Sequence, residues 1–263
     1  SRELGSVGMK RYKLLALGAW QYMFTAHNGA LPDPLGSPQA VLVSTLQLEP
    51  FLARGDIQMK TMLSSFTRGL EQLQSLLEYQ PIYLVLPKIA TAFAEQALKA
   101  VRGYAYIKPV QVPLRYPFDH FGILAKTLGL PHDDEHPVWA LRVEGVLALD
   151  RSLTMSLPCD TKVISIGGSG AIAPTHLAVM PGYPIKQLLS ARVAAGPVRI
   201  INGGALTGQA IGPEQLGIDV ECAGLTLLSE HVNREFLGFV RPGSDRRSYS
   251  HCFLSALRRP MPA

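Results

Sequence analysis

Val198-Arg-Ile-Ile-Asn-Gly-Gly-Ala-Leu-Thr-Gly-Gln209 decides how the second half of this chain folds. Val198, Ile200 and Ile201 give the stretch the apolar character of a buried strand. Asn202, Gly203 and Gly204 tolerate φ > 0, so the chain turns sharply there, and Thr207-Gly208 supplies a second turn. Just upstream, Gly182-Tyr-Pro-Ile-Lys-Gln-Leu-Leu189 reads as a short amphipathic helix. Glycines after a strand invite comparison with a phosphate loop. Such a loop needs Lys-Ser/Thr after its last glycine and a helix whose N-terminus meets the phosphate. Here Gln209-Ala210 and then Ile211-Gly212-Pro213 follow, which start no helix. Asn202, Gly203, Gly204 and Gly208 are therefore read as a structural turn.

The neighbours of this stretch fit a small sheet. Lys162-Val-Ile-Ser-Ile166 alternates polar and apolar residues, as a half-exposed strand does. Gly167-Gly168-Ser169-Gly170 has the composition of an anion cradle, but Ala171-Ile172-Ala173-Pro174 offers no helix start, so a flexible turn is expected. Further strands are expected over residues 219–228 and 236–240. Short strands around one helix make a β-grasp, or ubiquitin-like, arrangement.

The first half has a different rhythm. Residues 9–25 read as one helix with Leu14, Leu15, Leu17, Ala19 and Trp20 on its apolar side, ended by His27-Asn28-Gly29 and Pro32-Asp33-Pro34. Ala40-Val-Leu-Val-Ser-Thr45 is a continuous apolar run of the kind buried on both faces of a parallel sheet. Met59, Met62, Leu63, Phe66, Leu70, Leu73 and Leu77 then recur at helical steps. Pro81-Ile-Tyr-Leu-Val-Leu86 is a second strand. Phe93, Ala94, Ala97, Leu98 and Val101 mark a helix stopped by Gly103, and residues 104–112 form a third strand. Val138-Trp139-Ala140-Leu141 with a helix over 143–149 closes this half. Strand and helix alternating over short connections give a Rossmann-like doubly wound sheet, with ligands outside the carboxyl ends of its strands. Those ends are residues 44–50, 87–88 and 113–120. No Gly-x-Gly-x-x-Gly fingerprint lies there, and residues 44–54 contain no glycine at all.

Composition narrows the function classes. The 263 residues carry a formal net charge of +5 and are 47% hydrophobic. No run approaches the ~18–20 apolar residues of a membrane span, and Ser1-Arg2-Glu3-Leu4-Gly5 lacks the apolar core of a secretory signal. Cys159, Cys222 and Cys252 are odd in number and widely spaced, which supports neither disulfides nor a zinc site. Arg241, Arg246, Arg247, Arg258 and Arg259 crowd the end of the chain. Without interleaved aromatics or a reading helix they argue against nucleic acid and for a solvated rim, an acidic partner or lipid head groups. His132-Asp133-Asp134-Glu135-His136 and Tyr116-Pro117-Phe118-Asp119-His120 carry metal-ligand residue types. Neighbours that close on a proline-stiffened loop rarely converge on one ion, so a solvated acidic loop is expected and no metal is assigned. No Ser/His/Asp order, paired carboxylates or activated cysteine stands out, so no catalytic residue is assigned.

Several motifs in order resemble one family: Leu17-Gly-Ala-Trp20, Pro32-Asp33-Pro34, Ala40-Val-Leu-Val-Ser44, Phe66-Thr-Arg-Gly-Leu70, Ile164-Ser-Ile-Gly-Gly168, Asn202-Gly-Gly-Ala-Leu-Thr-Gly208 and Arg234-Glu-Phe-Leu-Gly-Phe-Val-Arg-Pro-Gly243. Together they look like the A subunit of bacterial Na⁺-translocating NADH:quinone oxidoreductases. The resemblance implies a middle fragment of a longer protein. Residues 1–157 would be a Rossmann-like α/β domain, 158–243 a soluble-ligand-binding β-grasp domain, and 244–263 an extension leading to an absent helical portion. It also implies a peripheral location on the cytoplasmic face of the bacterial inner membrane, with the membrane subunits of the sodium pump as partners. No cofactor would be bound by this fragment, and a quinone site would belong to the intact subunit, with the carboxyl edge near Phe51 and Tyr116 as one apolar place for it.

Relatives of the same architecture, the flavin-binding subunit of respiratory complex I and the C subunit of the Rnf complex, carry a glycine-rich loop before the first helix and an Asn-x-x-Glu-x-Glu-Pro run after the first strand. Here those places read Leu4-Gly-Ser-Val-Gly-Met9 and Ser44-Thr-Leu-Gln-Leu-Glu-Pro50. Only Glu49 and Pro50 survive, as vestigial flavin/NADH-site candidates. The alternative reading, a flavin- or NADH-binding module of the Rnf or complex I type, rests on that pair.

Overall fold

The apolar run at residues 40–44 becomes the centre of the first of two sheets. The structure, a computed structural model, describes residues 5–59, 61–77, 80–89, 91–131, 133–230, 240, 242–244 and 254–257. Helix α1 (Ser6–Ala16) opens the chain, and strand β1 (Met23–Thr25) follows a 3₁₀ turn at Trp20–Tyr22. The single helix expected over residues 9–25 thus stops at Ala16. Gly18 takes φ +76, which ends the helix. Trp20 then turns inward, its ring edge-on to Trp139 at 5.5 Å and its indole N–H donating to the Pro32 carbonyl at 3.0 Å.

Next come β2 (Ala40–Ser44), α2 (Gly55–Met59), α3 (Leu63–Gln74), β3 (Ile82–Pro87), α4 (Ala92–Val101), β4 (Ile107–Val112), α5 (Phe121–Thr127), β5 (Val138–Arg142) and α6 (Val143–Leu153). The helical periodicity from Met59 onward is divided between α2 and α3. Met62 has φ −120 at the break and is exposed, while Phe66, Leu70 and Leu73 are buried. Helix α4 is capped by the Thr91 side chain, which accepts from the Ala94 N–H at 3.1 Å. It ends at Val101 with Arg102 as its C-cap, immediately before Gly103. The third strand starts at Ile107, with Tyr104 still in the preceding turn.

The first sheet has the order β1-β5-β2-β3-β4. Strands β5, β2, β3 and β4 are parallel and β1 runs antiparallel to β5. All five residues of β2 are buried. Burying one large aliphatic side chain contributes about 1.5–3 kcal/mol, so this central strand anchors the layer. Successive strands run outward from β2 to β4, and β5 then returns to the other side of β2. That reversal opens a crevice between the carboxyl ends of β2 and β5, where ligands of such sheets sit. On one face α3 crosses α6 so closely that a Cβ at Gly69 would overlap the Val146 carbonyl. At the same crossing Arg68 donates from Nε and Nη2 to the two oxygens of buried Asp150, at 3.0 and 2.9 Å.

The second sheet is built from β6 (Lys162–Gly167), β7 (Thr175–Val179), β8 (Val198–Asn202), β9 (Gln209–Ala210) and β10 (Gly224–Ser229), with helix α7 (Ile185–Leu188) between β7 and β8. Its order is β7-β6-β10-β8-β9, with β6 and β10 parallel and every other pair antiparallel. Counted within the layer this is second-first-fifth-third-fourth, the β-grasp topology. Ile185, Leu188 and Leu189 close it over Ile164, Ile166, Leu225 and Leu227.

Strand β6 is not half-exposed as its alternation suggested. Both Lys162 and Ser165 are buried. Lys162 lies over the Tyr22 ring at 5.8 Å and donates to the Val220 carbonyl at 2.6 Å, so the polar positions of β6 are covered. The turn after it is held rather than flexible. Gly168 has φ +113, and Ser169 Oγ accepts from the Ser229 N–H at 3.1 Å. The strand expected over 219–228 is confined to β10. The one expected over 236–240 lies outside the described residues except for Val240, which is in a turn. Both sheets belong to one unit, residues 1–229. In the remaining unit the Leu254 N–H donates to the Pro242 carbonyl at 2.8 Å and residues 254–257 make a 3₁₀ turn. Among the described residues, no helix is long and apolar enough to cross a membrane.

Candidate functional site

The loop from β2 to α2, residues 45–54, carries Glu49 and Pro50, and it lies against the turn of Asn202 to Gly208. The two sets of residues singled out separately in the sequence meet in space. The Glu49 carboxylate accepts from the backbone N–H groups of Leu206 at 3.3 Å and Thr207 at 3.4 Å, and from the Thr207 hydroxyl. A Cβ at Gly204 would overlap that carboxylate, so glycine is what lets Glu49 lie there. Pro50 follows it in the chain and is exposed.

The next two residues of the loop dock in the same manner. Phe51 adopts φ +69 and places its Cβ where a side chain on Gly167 would come within 3.1 Å. Leu52 Cδ2 would lie 2.8 Å from a Cβ on Gly224. Three glycines of the second sheet, 167, 204 and 224, therefore form notches that receive Phe51, Glu49 and Leu52. The start of the loop is pinned to the first sheet. Thr45 Oγ1 donates to the Val85 carbonyl at 2.9 Å, and the Leu48 N–H donates to buried Asp119 at 2.8 Å. Arg142, the last residue of β5, donates from Nη1 to the Leu46 carbonyl at 3.3 Å and to Gln47 Oε1 at 2.6 Å.

Within the turn each residue has a separate task. Asn202 donates its side-chain amide to Asp219. Gly203 has φ +101, and its carbonyl accepts from Thr226 Oγ1 at 2.7 Å. Gly208 donates to the Gly204 carbonyl at 3.0 Å, and a Cβ there would sit 2.6 Å from the Ile201 side chain.

Hollows lie at this junction and next to it. One of about 410 Å³ lies at the crevice between β2 and β5 and is lined by Gln47, Glu49, Arg142, Glu144, Asn202 and Asp219 among others. Another of about 390 Å³, more apolar, lies at the carboxyl ends of β2 and β3 against Phe51, Pro87, Thr91, Phe93 and Leu114. Tyr116, expected near that edge, is exposed and not part of its lining. A third, about 230 Å³, opens between α6 and β6 beside Tyr22, Met62, Leu147, Met155 and Cys159.

The remaining chemistry-bearing residues have local roles. Asp133 accepts from the His136 backbone N–H at 2.7 Å, which holds its carboxyl below the usual range, and Asp134 pairs with His27 at 2.8 Å. His132 lies outside the described residues. Among the described residues, no three His, Cys, Asp or Glu side chains gather closely enough to hold a metal ion. Burial pushes the Cys159 thiol up and the Cys222 thiol up to about 11, so both stay protonated at neutral pH. Cys252 and the five arginines at the end of the chain lie outside the described residues. Sequence reasoning missed Asp119, Arg142 and Thr207 as parts of this junction. Arg142 alone had a local signal, as the polar residue ending a buried strand at the carboxyl edge.

Two family comparisons bear on this arrangement. The NqrA second alpha/beta domain matches residues 9–155, and the NQRA C-terminal domain matches residues 163–212. The A subunit of the Na(+)-translocating NADH-quinone reductase of Shewanella amazonensis is 27% identical over 248 residues, covering 94% of this chain and 53% of the relative. Its counterpart from Pseudomonas aeruginosa strain UCBPP-PA14 is 25% identical over 247 residues, with the same two coverages. The chain thus spans about half the length of these relatives. Among solved structures, the NAD+-reducing [NiFe]-hydrogenase in its air-oxidized state superposes with a TM-score of 0.64 at 14% identity, covering 86% of this chain and 48% of that one, a likeness of fold alone. With more than half of its residues matched by the second alpha/beta domain and the β-grasp layer following in order, this chain belongs to the NqrA family.

Proposed function

We propose that this chain is the central portion of a peripheral NqrA protein of a sodium-pumping NADH:quinone reductase, on the cytoplasmic side of the membrane. In this reading residues 1–157 and 158–243 are its α/β and β-grasp domains, and 244–263 lead toward a helical portion. It carries no flavin of its own, contacts the membrane subunits, and contributes to quinone binding in the intact protein. One observation carries the reading: the first βα loop is committed to holding the β-grasp layer through Glu49, Phe51 and Leu52. In nucleotide-binding sheets that loop is where phosphate contacts are made. Here it has no glycine and its acidic side chain is already engaged. The apolar hollow beside Phe51 and Phe93 supports a quinone contact, since such a ligand needs an apolar slot with a few polar groups at its rim. The test is to express the intact protein with its membrane partners. Co-purification is expected, and its failure would remove the proposal.

The alternative is a flavin- or NADH-binding module, favoured by the roomy crevice between β2 and β5 with Glu49 on its wall. Titration with FMN and NADH separates the two readings. Micromolar binding that disappears in Glu49→Ala would establish the alternative and overturn the claim of a chain without flavin.

A further inference from the structure

Among the described residues of the junction, Arg142 carries a charge left without a counterpart. It stands at the carboxyl end of β5, beside the crevice where the strand order reverses. Its Nη1 holds the β2–α2 loop, and its guanidinium lies 5.2 Å from the Phe121 ring centroid. Neither Nε nor Nη2 has a hydrogen-bond partner among the described residues, and no described carboxylate forms an ion pair with it. Glu49 and Glu144 line the cleft on one side of it. On the other side Arg142 lines a separate hollow of about 290 Å³ together with Phe24, His27, Asn28, His120 and Phe121.

The groups around that hollow favour negative charge. Asp119, next to His120, is buried and turned to the Leu48 N–H, and Asp134 is paired with His27. The exposed His120 side chain makes no hydrogen bond with the described residues, and His27 keeps a buried Nδ1 without a partner. A half-buried guanidinium with a free N–H edge matches the two oxygens of a carboxylate or phosphate, and the low local dielectric strengthens such a pair.

We infer that the hollow of Arg142, His27 and His120 is a binding site for a small oxyanion, a carboxylate or phosphate group carried by a small molecule. Arg142 holds the anion through its free edge, with the Phe121 ring beneath, and His120 closes the open side. Because the same arginine grips Leu46 and Gln47, occupancy is linked to the loop that docks on the β-grasp layer. The inference does not depend on the proposed function.

The chain is titrated with succinate and, separately, with inorganic phosphate at constant ionic strength, following backbone amide shifts of residues 24–29 and 120–122 by NMR. Saturable shifts with at least one anion are expected, and which anion saturates identifies the group preferred. Arg142→Lys keeps the charge but loses the fork and is expected to weaken binding about ten-fold. His120→Ala, at an exposed position, is expected to weaken it a few-fold with the fold intact. Shifts that never saturate with either anion, or saturation unchanged in both variants, would overturn the assignment.

Discussion

Glu49 and Thr207, 158 residues apart, are bound to each other through both the backbone N–H and the hydroxyl of the threonine. The contact joins the loop after the central strand of one sheet to a turn of the other. It also explains why Gly204 has no side chain, since a Cβ there would strike the same carboxylate.

That relationship predicts a specific pattern of coupling. Glu49→Ala is expected to lower stability by about 1–3 kcal/mol, the usual range for a hydrogen-bonded charged group. Gly204→Ala should cost a similar amount by expelling the Glu49 side chain, and the double variant should cost less than the sum. Gly203→Ala acts by another route. Its φ of +101 strains any residue with a Cβ, at about 1–2 kcal/mol, and that cost should add to the loss in Glu49→Ala. Urea unfolding of the single and double variants measures both cycles. Full additivity of Gly204→Ala with Glu49→Ala would contradict the contact.

The crossing of α3 and α6 makes a second prediction. A Cβ at Gly69 would overlap the Val146 carbonyl, a backbone atom that cannot swing aside, and would come 2.7 Å from Val146 Cγ1. Gly69→Ala should therefore destabilise by about 1–3 kcal/mol despite the better helix propensity of alanine. An unfolding midpoint raised by the substitution would show that the two helices lie further apart.

Alkaline pH supplies a third. Burial, helped by Glu144, pushes the Tyr22 phenol from 10.0 up to about 12, and burial pushes the Cys222 thiol from 9.0 up to about 11. As pH rises the unfolded chain loses these protons first, so unfolding gains ground. The stability these groups leave intact below pH 9 declines between 9 and 11 through Cys222 and between 10 and 12 through Tyr22. Thermal midpoints followed across this range should fall, and Tyr22→Phe should flatten the upper part of the fall. A wild-type midpoint constant from pH 9 to 12 would show that neither group is shielded.

What the sequence disclosed was the part of the fold written in local periodicity. The unbroken apolar run of β2, the stripe from Phe66 to Leu73 and the strand and turn around Asn202 all rest on residues near one another in the chain. Periodicity failed where a tertiary partner overrode it. The apolar positions after Leu15 continue a helical pattern, yet Gly18 turns the chain so that Trp20 can meet Trp139. Lys162 and Ser165 look like solvent positions because nothing local announces Tyr22 or the Val220 carbonyl. Strand β7 escaped notice because its five residues follow Pro174 and carry little apolar alternation. The candidate site was legible as two lists, Glu49-Pro50 and Asn202 to Gly208. Their meeting was not, because no local pattern encodes a contact between residues so far apart.

The docking of Glu49 also imposes an order on synthesis. When the β2–α2 loop leaves the ribosome, the amides that will bind its carboxylate lie 157 and 158 residues downstream. At about 5–20 residues per second, that leaves the loop without its partners for roughly 8–30 s. During this interval the parallel strands of the first sheet can assemble around β2, but Glu49, Phe51 and Leu52 wait in water. The nascent chain therefore passes through a stage in which its first layer is folded and its junction is open, and translation of the last strands is what closes it.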